Sequence, residues 1–304
     1  MKLKSRNIRN SISKLERMSF KDVNESYIRK VVNDLMIGYK VQAPAYNPPL
    51  TIYRGRICEK PNSISELSYP PKKYVSELGR GNEIGQPMFY GATHSHVPFY
   101  ELRCKPGDTI ALSTWRTSSK LILNHVGFSD EIQDQLESKR DLNEIYDFVK
   151  ATRNYGELNE MVHEYLAYLF SRPIQDGNEK VEYKLTSSIA NLMMHSSEIN
   201  GLMYPTIQMF GNADNILLKP EYVDENLDFV NVEFIEVNES NKDGFSINRI
   251  DSATALTSTN GALNWSGRPL HWELNQSGMI ATFEFKGDGN WEGRDQNGNL
   301  IDPV

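Results

Sequence analysis

The sequence predicts an α+β fold, and three features of the apolar pattern indicate it. Apolar residues recur at helical spacing in the first 45 residues and again between residues 129 and 195. Short apolar and aromatic runs, separated by polar loops with glycine and proline, occupy residues 50–117 and 201–237. The Asn-, Gly- and Ser-rich tail contains hairpin signals.

The first 48 residues are predicted to form an N-terminal helical extension. Two sets of apolar residues have helical spacing: Ile8, Ile12, Leu15 and Met18, then Tyr27, Val31, Val32, Leu35 and Met36. The stretch AYNPPL (45–50) ends the helical region, because proline lacks the amide donor and clashes with the preceding turn.

Residues 49–237 are predicted to form one mixed β core with flanking helices. Strands are predicted at residues 50–57, 87–92, 108–117, 201–208, 215–223 and 228–237. Helices are predicted within 129–171, where Ser129 precedes Asp130 and Glu131, and at 185–195, where Thr186 or Ser187 is a suitable cap.

Residues 238–304 are predicted to form a small β appendage. This tail is rich in Asn, Gly and Ser, and it holds three of the four tryptophans, Trp265, Trp272 and Trp291. The stretches GDGN (287–290) and NG (297–298) are hairpin-turn signals.

Composition and charge narrow the function classes. The formal net charge of −7 argues against general binding to nucleic acid or to an acidic membrane surface. The two cysteines, Cys58 and Cys104, lack metal-type spacing, and no apolar run reaches membrane-spanning length. We therefore expect a cytoplasmic protein.

The start of the chain is basic, with Lys2, Lys4, Arg6, Arg9, Lys14 and Arg17 against one acid, Glu16. Basic helices of this kind can bind nucleic acid or a partner protein, but most are simply solvated faces. The pattern alone favours the solvated face.

The stretch GRGNEIGQPMFY (79–90) has three glycines but does not match a dinucleotide fingerprint. That fingerprint needs G-x-G-x-x-G after a strand and before a helix, whereas Gly79, Gly81 and Gly85 are spaced differently and precede a strand-like run. The arginine between the glycines, Arg80, is therefore the residue of interest.

Four residues form a set suited to a dinucleotide. Arg54 and Glu101 lie where the apolar pattern predicts burial, and buried charges are usually paired or functional. Guanidinium groups of Arg54 and Arg80 suit pyrophosphate, the Tyr90 ring suits a base, and the Glu101 carboxylate suits ribose hydroxyls. The alternative is structural, with Arg54 and Glu101 as an ion pair and Tyr90 as a core aromatic.

Three blocks of the chain, IYRGRI, GRGNEIGQPMFYGATHSHVPFYEL and INGLMYPTIQMFGNADNILLKP, resemble the successive blocks of the RES domain. The Y-R pair of that family is matched by Tyr53 and Arg54, and its glutamate by Glu101. The remaining matches are Gly79, Arg80, Asn82, Gly85, Pro87 and Tyr90 in the second block, and Gly201, Leu202, Tyr204, Pro205, Asn215, Ile216 and Leu218 in the third.

The resemblance implies a fold similar to the ADP-ribosyltransferases and cleavage of the nicotinamide–ribose bond of NAD⁺. Glu101 would stabilise the oxocarbenium-like ribose, and Arg54 and Arg80 would hold phosphate. Tyr90 would stack on nicotinamide. Tyr53, Asn82 and Thr206 would complete the NAD⁺ site, with Thr206 giving a hydroxyl to the substrate or to Glu101. No metal ion is implied.

As a RES-type toxin, the chain would have an Xre-type helix-turn-helix antitoxin as partner, and it could form a homo-oligomer. Two positions depart from the family pattern. Gly81 replaces an aromatic residue, and Thr206 replaces a serine, which keeps a hydroxyl but adds a methyl group. Two alternatives stay open: transfer of ADP-ribose to a macromolecule, and an inactive module that binds NAD⁺ or a partner.

Histidines provide weaker candidates for chemistry. His94 and His96 could be two metal ligands, but no third ligand is evident, and a surface loop is the preferred interpretation. His163-Glu164 begins like a zinc-protease motif, yet Ala167 stands at the second histidine position and excludes it.

Overall fold

A computed structural model describes residues 2–141, 147, 151, 154–172, 179–241, 244–255, 261–266, 270–275, 282–287, 290–294 and 299–301. It has a mixed α+β fold, as predicted. The helices are α1 (Ser5–Glu16), α2 (Glu25–Met36), α3 (Val97–Glu101), α4 (Asp130–Gln135), α5 (Glu157–Ser171), α6 (Glu179–Met193) and α7 (Pro220–Asn226).

The strands before the tail are β1 (Ala45–Tyr46), β2 (Thr51–Ile57), β3 (Phe89–Ala92), β4 (Thr109–Thr117), β5 (Leu121–His125), β6 (Gly201–Pro205) and β7 (Asp214–Leu218). Those that follow are β8 (Leu227–Asn241), β9 (Gly244–Ala255), β10 (Leu263–Trp265), β11 (Leu270–Asn275), β12 (Thr282–Gly287), β13 (Asn290–Arg294) and β14 (Leu300–Ile301).

The chain divides into two compact units that interleave along the sequence. Unit 1 contains Met1–Leu50, Tyr69–Thr93 and Thr117–Leu227. Unit 2 contains Thr51–Ser68, His94–Arg116 and Asp228–Val304. The predicted helical extension thus belongs to unit 1, and the predicted β appendage belongs to unit 2.

Unit 1 combines strands with a helical core. Its strands have the order β1-β5-β6-β7-β3, with β5 and β6 parallel and the other neighbours antiparallel. The apolar faces of α1, α2, α5 and α6 meet in one buried cluster that includes Ile8, Val32, Leu166 and Ile189. The helical spacing read from the sequence is therefore the spacing of core residues.

Helix caps explain two of the helix starts in unit 1. The side chain of Asn24 accepts a hydrogen bond from the amide of Tyr27 at the start of α2. Ser129 does the same for Ile132 at the start of α4, where Asp130 and Glu131 also suit the helix dipole. The helix predicted to begin at residue 129 is confirmed, whereas the predicted caps Thr186 and Ser187 are wrong, because both lie inside α6.

Unit 2 is an antiparallel arrangement of strands in the order β2-β4-β8-β9-β10, with β11 also paired to β9. Its buried residues include Ile52, Phe99 and Ile247. Strands β12, β13 and β14 form a separate three-stranded sheet. Two residues of the predicted GDGN turn, 288 and 289, lie outside the described residues. Both residues of the predicted NG turn, 297 and 298, also lie outside them.

The structure corrects the predicted strand at residues 215–223. Strand β7 ends at Leu218, and helix α7 begins at Pro220, with Lys219 as its extended N-cap. Proline suits the first turn of a helix because its missing amide donor is not needed there. Strand β5, which no sequence signal had indicated, lies between β1 and β6. Parts of the predicted 129–171 helical region lie outside the described residues.

A buried ion pair joins two segments of unit 1. Asp214, at the start of β7, is 1 % exposed, and both of its carboxylate oxygens accept hydrogen bonds from Arg140, at 2.8 and 2.9 Å. The backbone of Asp214 is also bonded to Thr93. Such a bidentate pair compensates two charges that have lost their water.

Buried histidines form a second polar cluster of unit 1. The Nδ1 of His163 lies 2.8 Å from the Tyr39 hydroxyl, and its Nε2 lies 2.8 Å from the carbonyl of Phe128. The ring of His125 is edge-on to that of His163, with centroids 5.8 Å apart. Burial, and then the charge of His163, holds the pKa of His125 well below 6.5.

This lowered pKa predicts acid sensitivity of the fold. Below pH 6.5 the unfolded chain binds a proton at His125 and the folded chain does not, so stability is complete above that pH and is lost as the pH falls. We expect the free energy of unfolding to fall by about 1.4 kcal/mol per pH unit from this residue. Urea unfolding measured at about pH 7.5 and about pH 5.5 tests this. His125→Gln should show a shallower pH dependence, and the same slope in His125→Gln as in the wild type would contradict the assignment. His195→Gln, at an exposed histidine, is the control.

Candidate functional site

The predicted site residues fall into two sets. Arg80, Asn82, Tyr90 and Thr206 belong to unit 1, and Tyr53, Arg54 and Glu101 belong to unit 2.

The Gly79–Tyr90 segment of unit 1 is held closed by the Tyr90 hydroxyl. This hydroxyl accepts a hydrogen bond from the amide of Gly81 at 3.1 Å and donates one to the side-chain oxygen Oδ1 of Asn82 at 2.7 Å. Asn82 is buried, and its amide nitrogen donates to the carbonyl of Glu83 at 3.0 Å. Asn82 and Tyr90 therefore fix the backbone on either side of Arg80.

Arg80 is half-buried at the start of this segment and rests against the end of α5. Its Nη1 donates a hydrogen bond to the carbonyl oxygen of Phe170 at 2.6 Å, and its guanidinium carbon lies 5.8 Å from the centroid of the Phe170 ring. In the part of the chain that the structure describes, no carboxylate pairs with Arg80. Its positive charge is positioned without being neutralised, as a phosphate-binding guanidinium must be.

Two glycines permit this geometry by their lack of a side chain. A Cβ on Gly79 would lie 2.2 Å from the side-chain oxygen Oδ1 of Asn82 and 2.7 Å from the Tyr90 hydroxyl. A Cβ on Gly81 would lie 2.2 Å from Cδ2 of Leu217, a fully buried core residue. The glycine at position 81 is thus explained by packing against β7, which leaves no room for an aromatic side chain in this conformation.

Removing the Tyr90 hydroxyl should destabilise the segment. Tyr90→Phe leaves the Gly81 amide and the Asn82 oxygen without this partner, which typically costs about 1–3 kcal/mol when the groups are buried. Urea unfolding measures the change. Tyr74→Phe, at a side chain that is 67 % exposed, is the control and should leave stability unchanged. Equal stability of Tyr90→Phe and the wild type would show that the hydroxyl does not hold the loop.

Thr206 lies directly after β6 and has no exposed surface. Its amide donates to the carbonyl of Ala213, and its own carbonyl accepts from the amide of Gly211. These bonds close the turn that returns the chain into β7. In this conformation the Thr206 hydroxyl is not open to a ligand.

Tyr53 and Arg54 are consecutive residues of strand β2 in unit 2, and both are half-buried. Nε of Arg54 donates to the carbonyl of Leu67 at 3.1 Å. The carbonyl of Arg54 accepts from the hydroxyl of Ser113 on β4 at 3.0 Å. The prediction that Arg54 is a buried charge is therefore only partly correct.

Glu101 is exposed, so the predicted burial of this carboxylate is wrong. The run Val97-Pro98-Phe99-Tyr100 is buried, but it forms α3, and Glu101 is the last residue of that helix. Helix α3 packs closely on β2. A Cβ added to Gly55 would lie only 2.6 Å from Cβ of Pro98, so the glycine permits this approach. The Glu101 side chain therefore contacts solvent.

Phe170 helps to hold the Arg80 guanidinium, and the sequence alone did not indicate this role. It is 1 % exposed, and its ring meets that of Tyr204 on β6 edge-on, with centroids 5.2 Å apart. Because Phe170 is far from Arg80 along the chain and part of an ordinary apolar helix face, no sequence signal marks it.

Unit 2 contains a pair of neighbouring histidines, and unit 1 contains a surface cavity. His94 is exposed and His96 is buried, with ring centroids 5.5 Å apart, and burial followed by the charge of His94 lowers the pKa of His96 to about 4. Among the described residues, no three His, Cys, Asp or Glu side chains form a group that could hold a metal ion. A surface cavity of about 630 Å³ is lined by other residues: Glu25, Ser26, Arg29, Lys30, Asn33 and Leu192.

Comparisons with known proteins assign neither a family nor a function to this chain. No protein-family model matches the chain, and no curated protein matches it. None of the helices in the described residues is both long and apolar enough to cross a membrane.

Proposed function

We propose that this chain is a RES-type enzyme, with an ADP-ribosyltransferase-like fold, that cleaves the nicotinamide–ribose bond of NAD⁺. The observation that carries the proposal is the guanidinium of Arg80, which is fixed by a carbonyl and an aromatic ring and has no pairing carboxylate among the described residues. Arg80 itself, together with Asn82 and Tyr90, which hold its backbone, belongs to the block G-R-G-N-E-I-G-Q-P-M-F-Y, which carries the resemblance to that family.

Each proposed role follows from the chemistry of the side chain concerned. Departure of nicotinamide takes the electron pair of the C1′–N bond and leaves positive charge on C1′ and the ring oxygen of the ribose. Glu101 supplies the negative charge that stabilises this transition state. The guanidinium groups of Arg80 and of Arg54 each suit phosphate oxygens. Water or phosphate then adds to C1′, and the water reaction releases one proton.

The remaining predicted residues take supporting roles in this proposal. In this proposal Tyr90 and Asn82 hold the Arg80 segment through their hydrogen bonds, and the Tyr90 ring stacks on nicotinamide. Full burial assigns Thr206 to the turn between β6 and β7. Tyr53 precedes Arg54 on β2 and is proposed to contact the nucleotide.

Incubation of the pure protein with NAD⁺ tests the proposal. We expect release of nicotinamide, measured by chromatography, with free ADP-ribose in water and its phosphorylated form when phosphate is present. Label from NAD⁺ that ends on a macromolecule would instead identify an ADP-ribosyltransferase. Binding of NAD⁺ with no nicotinamide released under any of these conditions would overturn the enzymatic proposal.

The proposed partner is an Xre-type helix-turn-helix antitoxin, which the family resemblance implies. Expression of the chain alone should lower cellular NAD⁺ and stop growth, whereas a Glu101→Gln variant should not. Normal growth and normal NAD⁺ on expression of the wild-type chain would contradict its role as a toxin.

A further inference from the structure

The exposed face of α1 and of the residues next to it is mostly basic, with six cations against one acid, Glu16. All six cations of the first 17 residues are exposed: Lys2, Lys4, Arg6, Arg9, Lys14 and Arg17. In the described structure none of the six forms an ion pair. This concentration of positive charge occurs in a chain whose formal net charge is −7. The opposite side of the helix is buried at Ile8, Ser11 and Leu15.

The cations at the start of α1 work against the stability of the helix, whereas Lys14 in its last turn suits the helix dipole. The first turn of α1 contains no acidic residue, and Lys4 and Arg6 stand at the positive end of the helix dipole. Arg6 and Arg9, like Lys14 and Arg17, are like charges three residues apart, and such neighbours repel each other. A face selected only for solubility usually carries charges of both signs, whereas this face has a single acid, Glu16, among its cations, and this excess indicates a function.

The chemistry of the face distinguishes among anionic partners. Its exposed residues within and just after the helix are all polar: Arg6, Asn7, Arg9, Asn10, Lys14, Glu16 and Arg17. A protein partner would need aromatic or aliphatic anchors, and no exposed residue of α1 supplies one. A membrane surface would need a free apolar face, but the apolar face of α1 is packed in the core.

We propose that the exposed face of α1 binds the phosphodiester backbone of double-stranded nucleic acid, without reading its sequence. Arginine, lysine and asparagine are the donors that contact phosphates, and backbone contacts require charge rather than apolar anchors. Arg6 and Arg17 are about 16 Å apart along the helix axis, which is long enough to meet several phosphates. Exposed aromatic rings, on which single strands stack, are lacking on this face, so a duplex is favoured.

Fluorescence anisotropy with the full chain and a labelled mixed-sequence duplex of about 20 base pairs, in DNA and RNA forms, tests this. With four phosphate contacts, the slope of log K against log salt should be about −3.6, so affinity should fall about 100-fold between about 50 and about 200 mM NaCl. A variant with Arg6, Arg9, Lys14 and Arg17 all changed to Gln should lose this binding. Replacing the three arginines by Lys should keep it, since the charge remains.

A matched control removes four exposed cations elsewhere, by changing Lys72, Lys73, Lys105 and Lys139 to Gln. This control should retain the salt slope. Equal loss in the control, or no binding of the wild type at about 50 mM NaCl, would overturn the proposal. Binding to poly-glutamate or to phosphatidylserine vesicles as tight as to the duplex would also overturn it. The measurement needs no NAD⁺, so its outcome is independent of the proposed enzymatic activity.

Discussion

Replacing Glu101 by Gln should lower the rate of nicotinamide release by about 10²–10³-fold. Glutamine keeps the size of the side chain but removes the negative charge that the proposed mechanism places near the developing positive charge. One such electrostatic group typically contributes about 3–4 kcal/mol to transition-state stabilisation. Because the interaction develops only in the transition state, kcat should fall much more than KM changes.

Glu59→Gln is the matched control, since Glu59 is another exposed carboxylate of unit 2. It should leave the rate unchanged. Urea unfolding of both variants should match the wild type, because substitutions at exposed positions usually change stability by less than about 0.5 kcal/mol. Full activity of a folded Glu101→Gln protein would remove Glu101 from the mechanism.

The largest expected effect on stability comes from Asp214→Asn. Asparagine has the same shape as aspartate, but it leaves the Arg140 guanidinium, whose side chain is 13 % exposed, without its counter-charge. Breaking a buried pair in this way typically lowers the free energy of unfolding by about 3–5 kcal/mol. Urea unfolding near neutral pH measures the loss.

Two further variants show whether burial of the Asp214–Arg140 ion pair causes the expected loss of stability. Glu77→Gln removes the ion pair between Glu77 and Lys180, whose side chains are 63 % and 76 % exposed, and should have no measurable effect. The double variant Asp214→Leu with Arg140→Met replaces the pair by apolar side chains and should recover much of the stability. A small effect of Asp214→Asn would show that water compensates Arg140.

The helices were predictable because their apolar residues are spaced as a helix requires. Most residues of the predicted sets around Ile8 and Val32 lie in one buried cluster or pack against it, although Tyr27 is 45 % exposed. The strands at 50–57 and 108–117 likewise match β2 and β4, which pair in antiparallel register. In each case local periodicity reports which side of the element is buried.

The region around Glu101 shows where this approach fails. A short apolar run such as Val97-Pro98-Phe99-Tyr100 fits a buried strand and a short helix equally well. Only the close packing of α3 on β2, permitted by Gly55, decides that it is a helix with Glu101 exposed at its end. For α7, by contrast, Pro220 was an available signal, since proline favours the first helical turn.

Alone, the sequence determined the fold class, most of the elements and the residue types that make a nucleotide enzyme a reasonable hypothesis. Only the tertiary structure decided which polar groups are committed to the fold, as with the Tyr90 hydroxyl and Thr206, and which charge is held without a pairing carboxylate, as with Arg80. Periodicity arises from neighbours along the chain, whereas the environment of a charge depends on residues far away in sequence, such as Phe170 beside Arg80.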